Sequence, residues 1–225
     1  MITETLESES DLTDPPEIPR ALFVRLPAIF LSYVFHPVLI PLYVILFLVY
    51  WHPLVAAGSS ELQKLFLLLS VFVNCTLLPS VSVFLMWRLK FIKSVFLKTQ
   101  KERLIPYAAA MIFYFWCWYV LNNERNVPEE VKLFLLGNFI AVIVAWIANI
   151  YFKISIHSLA AGGMAFFITG IALSGEGSPG QYLTACWLIL GLVCSARLVL
   201  GHHRPFEIYA GLLLGMLSQA VAMYF

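Results

Sequence analysis

Hydrophobic runs of about 20 residues alternate with short polar breaks along most of this chain, and a helix of that length crosses the hydrocarbon core of a bilayer. The pattern therefore predicts an all-α fold, a polytopic transmembrane helical bundle of about six to seven membrane segments. The expected segments are residues 27–50, 62–87, 105–121, 131–152, 159–173, 181–200 and 206–225.

Residues 1–20 have a different composition from the rest of the chain. They are polar and acidic, contain three prolines, and have no Lys or Arg before Arg20. Such a segment cannot bury enough apolar surface to fold, so we expect a disordered acidic tail. Residues 21–225 are then expected to form a single transmembrane domain.

Composition limits the classes of partner and cofactor. The chain is 61% hydrophobic and 12% charged, with a formal net charge of +1, which gives no general attraction to nucleic acid. Membrane lipids are the expected surroundings, and no protein partner is indicated. The four cysteines lie in apolar runs without the spacing of a zinc site, and no carboxylate cluster suits magnesium. We expect neither a metal nor another cofactor.

Three polar clusters fall between hydrophobic segments, at 88–106, 153–157 and 197–207. Two crossings of the membrane separate each cluster from the next. An even number of crossings returns a chain to the same side, so the sequence predicts that all three clusters meet at one end of the bundle.

The third cluster holds the strongest chemical signal. His203 and Glu207 are four residues apart, and in a helix beginning near Pro205 they would share a face. The carboxylate could then orient one ring nitrogen while the other faces a substrate, and a neutral histidine held in this way is a nucleophile. Arg197 supplies a planar guanidinium of the kind that clamps phosphoryl groups.

The other two clusters add an acid and further cations. Ser155 is expected to cap the helix that follows it, which leaves His157 in the first turn, where backbone N–H groups favour an anion. The pKa range of histidine suits the protonation of a leaving alcohol. The basic stretch 88–103 is typical of a loop facing lipid headgroups, and within it Lys98 and Arg103 are candidates for binding phosphate.

Arg197, five residues, His203, three residues and Glu207 together resemble the third motif of the phosphatidic acid phosphatase type 2 and vanadium haloperoxidase superfamily. That motif is Ser-Arg, five residues, His, three residues, Asp. Many members of the superfamily are integral membrane lipid-phosphate phosphatases. In this chain Ala196 stands in the serine position, and glutamate replaces the aspartate.

The resemblance extends in order along the chain to the two other motifs of the superfamily. Of Pro-Ser-Gly-His, residues 154–157 keep the serine and the histidine. Of Lys, six residues, Arg-Pro, the chain keeps Lys98 and Pro106, with Ile105 in the arginine position. Arg103 lies two residues earlier and is the candidate replacement.

The resemblance implies a two-step reaction without a metal, in which a lipid phosphate or diphosphate monoester is the substrate. By analogy, His203 attacks the phosphorus, Glu207 orients it, and His157 protonates the leaving group. Water then releases phosphate. The phosphate-binding residues implied are Lys98, Arg103, Ser155 and Arg197.

Two alternatives stay open at this point. The departures at Ile105 and Ala196 each remove a phosphate contact of the family, which favours a catalytically degenerate member that binds lipid or acts as a scaffold. A purely interfacial anchor explains charges beside a membrane helix, but it does not explain the matched spacing.

The remaining polar residues of the segment ends receive structural interpretations. His36 and His52 have no carboxylate at helical spacing and are expected to be structural or interfacial, whereas His202 and Arg204 are expected to face headgroups. We expect an integral protein of the inner (plasma) membrane of a bacterium. The sequence leaves open which face holds the site and which lipid is the substrate.

Overall fold

The structure is a computed structural model that describes residues 22–52, 55–97, 99–174 and 180–224. Those residues fold into helices joined by short connections. The α-helices are α1 (Leu22–Val34), α2 (Ile40–Leu46), α3 (Glu61–Val71), α4 (Leu78–Arg88), α5 (Gln100–Asn122), α6 (Glu129–Tyr151), α7 (Ile156–Leu173), α8 (Gly180–Leu200) and α9 (Pro205–Tyr224). Two π-helical stretches, Phe47–Trp51 and Phe72–Leu77, extend α2 and join α3 to α4.

Within the described parts of the chain, six helices are long and apolar enough to cross a membrane. The first is the continuous rod Glu61–Arg88, formed by α3, the π-helical stretch and α4, and the others are α5 to α9. The prediction of an all-α bundle with about six to seven membrane segments is confirmed. The chain is an integral membrane protein.

The first predicted segment, 27–50, is interrupted. α1 ends at Val34, and α2 begins only at Ile40. Pro37 disfavours a helical conformation in the residue before it, His36. Pro41 occupies the first turn of α2, where its missing N–H costs little. The break therefore places His36 in a turn between two helices.

Close packing of α7 against α9 fixes the geometry near the third polar cluster. A side chain added at Gly211 would put its Cβ 2.6 Å from the Ser155 carbonyl oxygen, and one added at Gly215 would collide with the Leu159 carbonyl oxygen. These glycines let the two backbones approach, as in other close-packed membrane helices. In addition, the Ser155 N–H donates to the Glu207 carbonyl oxygen at 3.2 Å, so the start of α7 is tied to the start of α9.

The start of α5 is held by a capping box. The Thr99 hydroxyl accepts from the Glu102 N–H, and the Glu102 carboxylate accepts from the Thr99 N–H. The same carboxylate also accepts from the Lys93 N–H at 2.9 Å, which joins the loop before α5 to its first turn. Arg103, in the next position of α5, donates to the carbonyl oxygen of Ile154, in the connection between α6 and α7.

Candidate active site

A cavity of about 770 Å³ lies inside the bundle and collects side chains from separate parts of the chain. We call its charged and imidazole side chains the polar cluster: they are His36, Arg103, Lys153, His157, Arg197, His202 and His203. The three clusters expected from the sequence thus contribute to one cavity, together with the turn between α1 and α2. Lys98 lies outside the described residues.

His203 is oriented by two hydrogen-bond acceptors. Its Nδ1 lies 2.8 Å from the Glu207 Oε2 atom and 3.2 Å from the Lys153 carbonyl oxygen. Because both partners accept, the ring proton belongs on Nδ1, and Nε2 keeps its lone pair. This is the orientation a nucleophilic histidine requires.

The pairing of His203 with Glu207 does not arise from a shared helical face, as the spacing suggested. α9 begins at Pro205, so His203 precedes the helix, and Glu207 lies in its first turn. Glu207 Oε2 also accepts from the Arg204 N–H at 3.3 Å, as an acidic residue near a helix N-terminus commonly does. The proline that starts the helix therefore moves the histidine into the preceding turn.

The environment of His203 keeps its ring neutral. Its exposed fraction is 5%, and burial lowers the pKa of His203 to about 4. The hydrogen bond to Glu207 acts in the opposite direction, and the positive charges of Arg103 and Arg197 lower the pKa further. Burial has the largest effect, so at neutral pH the ring is neutral and carries its one proton on Nδ1.

His157 lies in the first turn of α7, as predicted, and faces residues of the first segment. Its Nε2 lies 3.2 Å from the Ser32 carbonyl oxygen, and its ring centroid is 5.3 Å from that of His36 in an edge-to-face arrangement. Since a carbonyl only accepts, His157 Nε2 donates this bond.

Ser155 caps α7 as expected, and this occupies its hydroxyl. The oxygen accepts from the Ser158 N–H at 3.5 Å and is 3.0 Å from the Ser158 hydroxyl. Ser155 is fully buried and is not among the residues that line the cavity. The structure therefore does not bring this predicted phosphate ligand to the site.

Both arginines of the polar cluster are buried, with exposed fractions of 7% for Arg103 and 8% for Arg197. Arg103 donates from Nε to the Leu97 carbonyl oxygen at 2.9 Å and from Nη1 to the Ile154 carbonyl oxygen at 3.0 Å. Arg197 makes longer contacts of 3.5 Å, from Nη1 to the Ser32 hydroxyl and between Nη2 and the Nδ1 atom of His202.

No carboxylate of the described residues forms an ion pair with Arg103 or Arg197. The Nε atom of Arg197 also has no hydrogen-bond partner among them. A buried cation without an anion is costly, and Glu207, the nearby carboxylate, is engaged by His203. The site is therefore suited to an anion that enters from outside the protein.

The position of Ile105 explains one departure from the motif spacing. Its side chain is 54% exposed, and it does not line the cavity. Residues two apart on a helix point about 200° apart, so Arg103 reaches the cavity from the opposite face of α5. An arginine at 105 would face away from the polar cluster, whereas Arg103 lies in it.

The structural interpretation of His36 is incomplete, because this residue belongs to the polar cluster. Its Nδ1 accepts from the Val38 N–H at 3.4 Å, which leaves the proton on Nε2. Burial and the charge of Arg197 lower the pKa of His36. The Pro37 signal could have located the turn, but nothing in the sequence pairs residue 36 with residue 157. His52, by contrast, accepts from the Val55 N–H outside this cavity.

The donors that converge on the cavity are guanidinium and imidazole groups, which suit an anionic ligand. Among the residues with described positions, no group of three or more His, Cys, Asp or Glu side chains is arranged to hold a metal ion.

Comparison of the chain with protein-family models, curated proteins and solved structures finds no match.

Proposed function

We propose that the chain is a membrane-embedded phosphatase that hydrolyses a phosphate or diphosphate monoester of a lipid through a phosphohistidine. One observation carries this proposal. Two buried arginines, with which no carboxylate of the described residues pairs, line the same cavity as a histidine that keeps its lone pair on Nε2. Phosphoryl transfer needs this combination of anion binding and nucleophile.

In the first step, the Nε2 atom of His203 attacks the phosphorus, and the bond from phosphorus to the lipid oxygen breaks. The ring becomes cationic, and Glu207 stabilises that charge through Nδ1–H. The N–H groups of Arg103 and Arg197 hold the phosphoryl oxygens as negative charge shifts during transfer.

His157 supplies the proton that the leaving oxygen needs. Its Nε2–H is held by the Ser32 carbonyl, so its free Nδ1 is the atom that takes a proton from the bound phosphate monoanion and passes it to the leaving oxygen. In the second step, Nδ1 takes a proton from the water that attacks the phosphorus, and this proton leaves with the phosphate. The nitrogen–phosphorus bond then breaks, phosphate leaves, and His203 regains its lone pair.

His36 has a place in this scheme that the motif resemblance does not include. Its Nε2–H is a donor in the polar cluster, next to His157 and near Arg197. We assign His36 to a hydrogen bond with a phosphoryl oxygen. It would thus add a donor to a site in which Ile105 contributes none.

A lipid is the favoured carrier of the phosphate because the polar cluster lies at the end of membrane-spanning helices, and its cavity continues between them. The resemblance to lipid-phosphate phosphatases, based on the spacing of Arg197, His203 and Glu207, supports the same class.

A second candidate is a lipid-phosphate-binding protein without turnover. It is favoured by the state of Arg103, whose two strong hydrogen bonds already go to backbone carbonyls. An arginine held in that way contributes charge but offers fewer free N–H groups to a transition state.

Phosphate release by the detergent-purified protein tests the proposal. A panel of lipid phosphates and diphosphates is offered without added metal to the wild type, His203→Ala and His157→Ala. The control is Arg204→Ala, which removes an exposed cation next to His203 while keeping the backbone N–H that Glu207 accepts. We expect release by the wild type and the control, with loss in both histidine variants.

Absence of release by a folded, monodisperse wild type from every lipid of the panel would contradict the hydrolase and leave the binding protein. Equal release by wild type and His203→Ala would contradict the assigned nucleophile.

A further inference from the structure

We infer that the cavity below the polar cluster is a slot for one apolar chain of the phosphate-bearing lipid, closed by a polar floor at Asn138 and Gln219. The inference rests on the proposed function and deepens it, because it specifies what is attached to the phosphate. The slot would set an upper limit on the length of the chain that fits.

The depth of the cavity corresponds to one lipid chain. On α5 the lining residues extend from Arg103, in the polar cluster, to Tyr114. Eleven residues separate them, which is about 16 Å along a helix axis at 1.5 Å per residue. Half of the hydrocarbon core, the part that the chains of one leaflet fill, is about 15 Å thick.

Small side chains make the room for this slot. On α6, Ala141 and Ala145 are four residues apart, and on α7, Ala160 and Gly163 are three apart, so each pair lies on one face of its helix. Together with Ala110 of α5 they line the cavity. The volume of about 770 Å³, polar end included, lies in the range of a site for one ligand of moderate size. A second chain of the same lipid would remain in the bilayer.

The floor is polar, unlike the walls. Gln219 is fully buried, its Nε2 donates to the Phe134 carbonyl oxygen at 3.3 Å, and its Oε1 has no hydrogen-bond partner among the described residues. The Nδ2 atom of Asn138 likewise has none within that part of the chain. Gly137 makes space for this arrangement, because a Cβ there would collide with the Gln219 amide.

The Gln219 side chain and the Asn138 Nδ2 atom are already buried, and Gln219 is held by the Phe134 carbonyl, so a hydrocarbon chain that reaches them can go deeper only by displacing packed side chains, which is costly. A chain that ends before the floor avoids this cost and contacts only the apolar walls. Chains longer than the slot must bend or displace Gln219. We therefore expect a cutoff in chain length rather than a gradual preference.

The test measures binding, not turnover. A homologous series of n-alkyl phosphates, from chains half as long as the slot to chains that exceed it, is titrated into the detergent-purified protein and into His203→Ala. Affinity, referred to the mole fraction of ligand in the detergent, is expected to stay nearly constant up to the floor, because each methylene moves between two apolar phases. Beyond the floor it should fall about tenfold or more.

Two variants should shift the chain length at which the cutoff occurs, and a third serves as a control. Ala141→Phe fills the slot part of the way down and should move the cutoff to shorter chains, whereas Gln219→Ala removes part of the floor and should move it to longer ones. Ile147→Phe adds the same ring on the exposed side of α6 and should leave the cutoff unchanged. If Ala141→Phe fails to fold, Gln219→Ala alone decides.

Affinity without a cutoff, or a cutoff that neither slot variant moves, would overturn the inference. This failure is distinct from failure of the proposed function. A cutoff in a protein that releases no phosphate keeps the slot and removes the hydrolase. Phosphate release without a cutoff keeps the hydrolase and removes the slot.

Discussion

The two ends of the bundle differ in whether their charged side chains are paired. At the end where α3 and α6 begin, two lysines pair with glutamates on the same helix: Lys64 lies 2.8 Å from Glu61, and Lys132 lies 3.2 Å from Glu129. The Glu61 side chain in the first pair is 73% exposed. At the other end, Arg103 and Arg197 are buried, and no carboxylate of the described residues pairs with either.

This difference indicates where function lies. An exposed ion pair contributes little stability and needs no further partner. Two buried guanidinium groups, with which no described carboxylate pairs and near which Glu207 is already engaged by His203, leave positive charge to be neutralised by something else. The ion pairs of the first end need no ligand, whereas the two buried arginines of the second end need an anion from outside the protein to balance their charge.

The largest effect is expected when the carboxylate of the site end loses its charge. Glu207→Gln should lower kcat for phosphate release by about 10³-fold to 10⁴-fold, because an amide no longer holds the proton of His203 on Nδ1. The matched change at the other end, Glu129→Gln, should leave kcat unchanged. Comparable rates for the two variants would remove the distinction between the ends.

A smaller loss is expected from Arg197, the arginine of the polar cluster whose hydrogen bonds are the longer ones. Arg197→Ala should reduce kcat/KM by about 10²-fold to 10³-fold, the usual cost of deleting one donor to a developing oxyanion. Arg197→Lys should recover only part of this, since an ammonium lacks the planar fork. Lys64→Ala removes a cation from the opposite end and serves as the control, and a loss of activity there would contradict the assignment of the site.

Acid should destabilise the site end selectively. Burial lowers the pKa of His203 to about 4, below the ordinary value of about 6.5 in the unfolded chain. Between these values the unfolded state binds a proton that the folded state does not, so the free energy of unfolding falls as the pH is lowered through this window. The contribution of the neutral His203 ring to the free energy of unfolding is fully present above about pH 6.5.

Thermal unfolding in detergent across this pH window provides the measurement. As the pH is lowered towards 4, the unfolding temperature of the wild type should fall, and that of His203→Gln should fall less. His36, whose pKa is also lowered, retains part of the dependence in the variant. Parallel pH profiles for the two proteins would show that His203 is not buried as a neutral ring.

The smallest effect belongs to the exposed pairs. Glu61→Ala should change the stability of the protein by less than about 1 kcal/mol, because a surface ion pair is screened by water and salt. Chemical unfolding in detergent measures this difference. A larger loss would mean that the end where α3 and α6 begin depends on its charges as the site end does.

The sequence predicted where the helices lie along the chain better than it predicted which of their side chains face the cavity. Hydrophobic run length located the six long spans, and the parity of crossings placed 153–157 and 197–207 at one end. The Ser155 cap and the proximity of His203 to Glu207 also followed from local spacing, since both contacts join residues three or four apart.

Contacts between distant segments were not available from the sequence. The edge-to-face pair of His36 and His157 depends on how α1 and α2 pack against α7, and no local pattern records that. Likewise, the orientation of Arg103 towards the cavity and of Ile105 away from it depends on the rotation of α5 in the bundle. A motif position alone does not fix that rotation.

Trapping the covalent intermediate tests the central claim most directly. The purified protein is mixed with a lipid phosphate, quenched under alkaline conditions that preserve phosphohistidine, and its peptides are analysed by mass spectrometry. We predict an added phosphoryl group on His203, absent from His203→Ala. Turnover of the substrate with no phosphoryl group on His203 at any quench time, or with the group on another residue, would contradict the account.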